Sequence, residues 1–187
     1  MIEPNATHYE QLAQREFVTH GRVSIVNTEL ETIPSDFPHL DKLRHDTILL
    51  SHVLYFFDDW EESLNYCINR LYPGGKICIV LNSVTMELAT RTHLRNWFNA
   101  TPEINPLWVE SHLSSRGLVT TTDTARLQLV GEGEQGKQML ADYLTFLIPG
   151  KWREDRESIL EYVQRFCFNG TDYTFNCPST FLVGEKR

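Results

Sequence analysis

The sequence is short of positive charge, of long apolar runs and of paired cysteines, and each shortage removes a class of function. Its 17 Lys and Arg stand against 25 Asp and Glu, a formal net charge of -8. Nucleic-acid binding normally requires a basic face that displaces phosphate counterions. The cations here are scattered, with no basic run interleaved with aromatics, so no nucleic-acid partner is expected. No apolar run reaches the ~18–20 residues that cross a bilayer. Met1–Asn5 offers neither a positive n-region nor an apolar h-region, and the expectation is a cytoplasmic chain with no membrane partner. The four cysteines, Cys67, Cys78, Cys167 and Cys177, show no CxxC spacing and sit among apolar or aromatic residues, as reduced core cysteines do. The histidines do not cluster at ligand spacing, so no metal is expected, and serine-nucleophile and P-loop motifs are absent. Asn-x-Thr sequons at Asn5, Asn99 and Asn169 carry meaning only in a secreted chain.

What is present is an ordinary globular composition, 41% hydrophobic and 22% charged over 187 residues, enough for one domain with its own core. The first half alternates strand and helix signals. A helical stretch around His8–Phe17 precedes a short β-branched strand, Val23–Val26, and the run Thr47–Leu50 reads as a buried strand. Leu64, Cys67, Ile68 and Leu71 share one face of a helix from about Trp60 to Leu71. Asp58 and Asp59 precede it, where acids suit a helix N-terminus. Tyr72-Pro73-Gly74-Gly75 stops that helix, and Lys76–Leu81 is a continuous apolar strand. Solid apolar strands separated by helices indicate a parallel sheet covered on both faces. Beyond Asn82 the pattern predicts helices at about 86–98 and Trp108–Arg116, a Thr-rich strand Val119–Val130, helices at about Gln135–Leu147 and 154–168, and an antiparallel finish over Tyr173–Val183. No repeat, low-complexity tract or linker divides residues 1–187.

The stretch Asp46–Tyr55, a helix, and then Leu71-Tyr-Pro-Gly-Gly-Lys-Ile-Cys-Ile79 resembles the second half of the class I SAM-dependent methyltransferase core. In that family the first part is the fourth strand with its carboxyl-end loop, and the L-x-P-G-G turn feeds the fifth strand. Pro73 cannot continue a helix, and Gly74 and Gly75 tolerate positive φ, so the chain can reverse sharply there. Ile2-Glu3-Pro4-Asn5 resembles the end of the second strand, and Thr28–Pro34 the adenine-side loop. Within class I, Glu3-Pro4-Asn5 and Val53-Leu54-Tyr55-Phe56 are most similar to the histamine N-methyltransferase-like group. The family's first strand and glycine loop would lie before Glu3, so the resemblance implies an N-terminally truncated chain.

The resemblance implies a Rossmann-like α/β fold, mostly parallel with an antiparallel C-terminal strand. Residues 1–82 would form the remaining cofactor-side core and 83–187 the substrate-side helices and final strands. The implied cofactor is S-adenosyl-L-methionine (SAM). Glu3 would accept hydrogen bonds from the ribose hydroxyls with its two oxygens, Glu29 and Leu30 would flank the adenine, and Ser51 would lie by the cofactor. His52, Tyr55 and Phe56 would face a small amine substrate, since π faces attract positive charge. Plainer readings stand beside these: a surface acid for Glu3, a solvated loop acid for Glu29, a core side chain for Leu30, a helix cap for Ser51, a satisfied loop histidine for His52 and core aromatics for Tyr55 and Phe56. No catalytic residue is named, because alignment of an activated donor with a neutral amine supplies most of the rate and a base serves only an amine that arrives protonated.

Gly131-Glu-Gly-Glu-Gln-Gly136 matches G-x-G-x-x-G, but Glu132 and Glu134 would repel a pyrophosphate and no strand ending in an acid follows at the required distance. It reads as a flexible substrate-side loop. The expected function is N-methylation of a small amine. The alternative is a catalytically inactive methyltransferase-like remnant or interaction protein. A sheet lacking its first strand would expose hydrogen-bonding edges, so self-association through an open edge is also expected.

Overall fold

The computed structural model describes residues 1–15, 18, 20, 23–82, 104–147 and 155–187. Along these the elements run α1 (Ala6–Ala13), α2 (Ile33–Asp36), α3 (Pro38–Asp41), β1 (His45–Ser51), a 3-10 turn (Leu54–Phe56), α4 (Trp60–Asn69), β2 (Leu71–Asn82), α5 (Pro106–Ser115), β3 (Leu118–Ala125), β4 (Gln128–Glu132), α6 (Gly133–Leu147), α7 (Arg156–Phe166), β5 (Asp172–Asn176) and β6 (Ser179–Lys186). The helix expected over 86–98 lies outside the described residues.

The apolar runs at Thr47–Leu50 and Lys76–Leu81 become a parallel pair, with Ile48 opposite Ile77 and Leu50 opposite Ile79. The linking helix starts where the sequence predicts: the Asp59 side chain caps α4 by accepting the Glu62 N–H at 2.9 Å, and Glu61 and Glu62 fill the first turn. The four residues Tyr72–Gly75 do not form a turn before β2 but a bulge inside it, since the register slips between His45↔Leu71 and Thr47↔Lys76. Gly74 holds φ 78°, and a Cβ on Gly75 would stand 2.9 Å from the Tyr72 carbonyl oxygen and 3.0 Å from that of His45. Both positions therefore need glycine.

β6 runs antiparallel between β2 and β3, giving the order β1-β2-β6-β3. The last strand is thus interior to a mixed sheet, and the Lys186 ammonium donates to the carbonyls of Ile68 and Leu71 at 2.9 and 3.1 Å. The strand expected over Val119–Val130 is two strands broken at Arg126–Leu127, and Tyr173–Val183 is two strands broken at Cys177–Pro178. β4 and β5 form a separate antiparallel ribbon. Val23–Val26 contributes only a parallel bridge between Ile2 and Val26.

Side chains sort into two cores. Ile77, Ile79, Leu81 and Leu182 from one sheet face pack with Leu64, Cys67 and Ile68 of α4 and Val109 and Leu113 of α5. The second core joins Leu140, Ala141 and Leu144 of α6, Ile159, Tyr162 and Val163 of α7, and Tyr173 and Phe175 of β5. The apolar residues of the other sheet face take no part in the first core. Leu49 is 64% exposed, Val119 42% and Phe181 39%, and Cys78, Val80 and Val183 are half-buried. Among the described residues this face is thus less fully covered than the first. The G-x-G-x-x-G segment is no loop: it is the end of β4 and the first turn of α6. The backbones of Gly131 and Gly136 touch so closely that neither has room for a Cβ.

Candidate functional site

At the carboxyl ends of β1 and β2 the chain makes a sharp turn whose geometry is held by backbone bonds. His52 adopts φ 53°, uncommon for a residue with a side chain, and its N–H donates to the Val80 carbonyl at 2.9 Å. Leu54, fully buried, anchors the following 3-10 turn in the first core. That places Tyr55 so that its phenolic oxygen accepts the backbone N–H of Asn82, the last residue of β2. Burial pushes the Tyr55 phenol up to about 12 and lowers the His52 imidazole from its ordinary value, so both are neutral at pH 7.

The second core meets this point from the other side. Tyr143 of α6 lies against the Cys177 thiol and within electrostatic reach of Tyr55, and burial raises its phenol. Among the described residues the buried Asn82 side-chain oxygen finds no hydrogen-bond donor, a costly condition for a polar atom. Asn82, Tyr143 and Cys177 were not legible as site residues, because they converge only through pairings distant in sequence. The one available signal was that Asn82 ends a strand parallel to β1, where open α/β sheets place ligands.

The other residues singled out from the sequence fall in two places. Ser51 is exposed at the end of β1 and Phe56 is 53% exposed. Glu3 follows the Ile2–Val26 bridge, where its N–H donates to the Val26 carbonyl at 3.0 Å. Its Oε1 accepts the Asn5 N–H at 2.9 Å and lies 3.9 Å from Nδ1 of His8. Asn27 locks this segment by donating its amide to the carbonyls of Glu3 and Pro4. Glu29 is exposed, whereas Leu30 packs against the first core. The structure thus brings His52 and Tyr55 together, and groups Glu3 with the 27–30 segment at the carboxyl end of the bridge.

Similarity searches separate sequence from architecture. The sequence matches no protein-family model and no curated protein. Solved structures do match: the YcgJ protein of Bacillus subtilis aligns with a TM-score of 0.60 at 16% identity, over 100% of this chain and 81% of that one. A Galdieria sulphuraria protein assigned as a sarcosine dimethylglycine methyltransferase gives 0.55 at 11%, over 99% and 68%. The plantazolicin methyltransferase BpumL, solved with SAH, gives 0.50 at 12%, over 100% and 66%. The fold is that of the class I methyltransferases. In the methyltransferase fold the carboxyl ends of parallel strands are the ligand-binding edge, and that is where His52, Tyr55 and Asn82 converge. Among the described residues no group of three or more His, Cys, Asp or Glu could hold a metal ion, and no helix is long and apolar enough to cross a membrane.

Proposed function

We propose that this chain is a SAM-dependent methyltransferase that methylates the nitrogen of a small amine, in the manner of the histamine N-methyltransferase-like group. The observation that carries the reading is the convergence of His52, Tyr55 and Asn82 at the carboxyl ends of the parallel pair β1–β2, in a chain with the methyltransferase fold. The name of the Galdieria sulphuraria structure, which points to methylated amines, supports the choice of nitrogen.

The residues present fit part of the cofactor. Glu3 has one carboxylate oxygen engaged by Asn5 and a second to accept a ribose hydroxyl; Glu29 and Leu30 follow at the same end, and Ser51 lies at the end of β1. Among the described residues no glycine-rich turn follows a parallel strand to receive the methionine end; Gly74 and Gly75 are at the opposite end of β2. When bound, SAM supplies a methyl group already activated by its sulfonium. The chain's own task is to hold an uncharged amine in line, because a protonated nitrogen has no lone pair to attack with. His52, kept neutral by burial, accepts a hydrogen bond from the uncharged amine, and Tyr55 and Phe56 offer π faces to the positive charge that the nitrogen gains as the methyl group arrives. Calorimetric titration with SAM and SAH tests the reading. Micromolar binding by the folded chain, followed by transfer of label to a small amine, is the expected result; a folded sample that binds neither removes it.

The exposure of Leu49, on the edge strand of the sheet, favours a second role. β1 pairs only with β2 among the described residues, so its other edge and the neighbouring apolar face support self-association. If the chain is a non-catalytic interaction protein, concentration-dependent dimers will form without any SAM binding.

A further inference from the structure

A second feature lies away from the carboxyl-end site, between α4 and α5. The two helices flank a groove of about 540 Å³ lined by Trp60, Glu61, Trp108, Ser111, His112 and Ser115. Trp60 is packed on the first core and meets the His112 ring edge-on, with ring centroids 5.6 Å apart. His112 is itself fixed: its Nε2 donates to Oδ1 of Asn65 at 3.0 Å, and its Nδ1 is 3.9 Å from the Glu61 carboxylate. Trp108 leaves 57% of its surface in solvent, an unusual exposure for an indole. The one acid lining it is Glu61, with Asp58, Asp59 and Glu62 beside it at the start of α4, while Arg116 follows the lining Ser115 at the far end of α5.

We infer that this groove binds a small organic cation, an alkylated ammonium, between the Trp60 and Trp108 indoles and the Glu61 carboxylate. An ammonium bearing alkyl groups has no strong need of hydrogen-bond acceptors, so aromatic faces and one carboxylate replace its water adequately, and a desolvated cation gains more from the ring quadrupole than an exposed one. An anion would meet the Glu61 carboxylate here, and a neutral apolar ligand would leave that charge unused. The inference does not depend on methyl transfer: it concerns different residues and predicts binding with or without SAM.

The test is titration of the full chain with choline at constant ionic strength, followed by the indole N–H resonances, with its neutral carbon isostere 3,3-dimethylbutan-1-ol as control. Choline is expected to shift the Trp60 and Trp108 signals with a Kd on the order of 1 mM, and the isostere to bind about tenfold more weakly. Trp108→Ala is expected to weaken choline about tenfold and Glu61→Gln about threefold; both are exposed positions whose replacement leaves the fold and the response to SAM unchanged. Equal binding of the isostere, no response to choline, or an affinity indifferent to both substitutions overturns the inference. So does loss of choline binding in Tyr55→Phe alone, which would put the cation at the carboxyl-end site.

Discussion

The two cores of this chain are built on different periods and held by different kinds of contact. In the sheet core every second residue of β2 points inward, Ile77, Ile79 and Leu81, each at most 1% exposed, and long-range pairing with β1 and β6 sets the register. In the second core the period is helical: Leu140 and Leu144 of α6 meet Ile159 and Val163 of α7 at four-residue spacings, with the β4–β5 ribbon beneath. Among the described residues the sheet core leaves one face of its sheet half open, whereas the second core closes around Tyr162, 1% exposed. The difference locates the site. Tyr55 and Asn82 belong to the sheet core and Tyr143 and Cys177 to the other, so the candidate site is the seam where the two cores meet.

The strongest way to break this comparison is one truncation in each core. Ile77→Ala should cost about 3–4 kcal/mol, because a filled position cannot collapse around the lost methylenes, and should lower amide protection in β1 and β2 while leaving that of α6 and α7 unchanged. Leu144→Ala should cost about 2–3 kcal/mol but leave amide protection in β1 and β2 unchanged in hydrogen exchange. Loss of protection in both regions would mean one cooperative core. Gly75→Ala should cost about 2–3 kcal/mol, since its Cβ meets three carbonyl oxygens of the bulge; an unchanged Tm would show that the bulge relaxes. Tyr55→Phe sharpens the seam. It leaves the Asn82 N–H without its acceptor and should cost about 1–2 kcal/mol, with a larger proportional loss in methyl transfer than in SAM affinity.

The smallest expected effect is of pH. Burial lowers the folded His52 below 6.5, so the unfolded chain takes up that proton first. The stability this neutral imidazole provides is therefore complete above pH 6.5 and declines as pH falls through 6.5 towards the folded value. His52→Gln should flatten that part of a Tm-against-pH profile, and an unaltered profile would assign the slope to other groups.

Much of the sheet core was legible because its signals are local. The solid apolar runs at Thr47–Leu50 and Lys76–Leu81, the Asp59 cap and the stripe Leu64-Cys67-Ile68 each occupy a few consecutive residues, and the resemblance to a methyltransferase core rests on the same stretch. What was illegible depends on partners. No glycine or proline separates Leu118–Ala125 from Gln128–Glu132, and only their pairing, one with β6 and the other with β5, shows that they are separate strands. Pro178, which cannot donate to a central ladder, was the overlooked sign of the break between β5 and β6. Gly131 and Gly136 looked like a loop because glycine marks both turns and close backbone contact, and here it is the contact. In the site, His52 and Tyr55 sit beside a recognisable strand end, whereas Asn82 and Tyr143 come within reach only after both cores form.

The interior position of β6 has a consequence for synthesis. Its ladder with β2 joins Lys76 to Glu185 and Asn82 to Ser179, so a ribosome must add roughly a hundred residues after β2 before that edge finds its partner. At about 5–20 residues per second, the nascent chain displays an apolar strand with one edge unpaired for about 5–20 seconds. Its yield in a cell should then depend on the chaperones that meet it in that interval, and slowing translation after Asn82 should lengthen the hazard rather than help the chain fold.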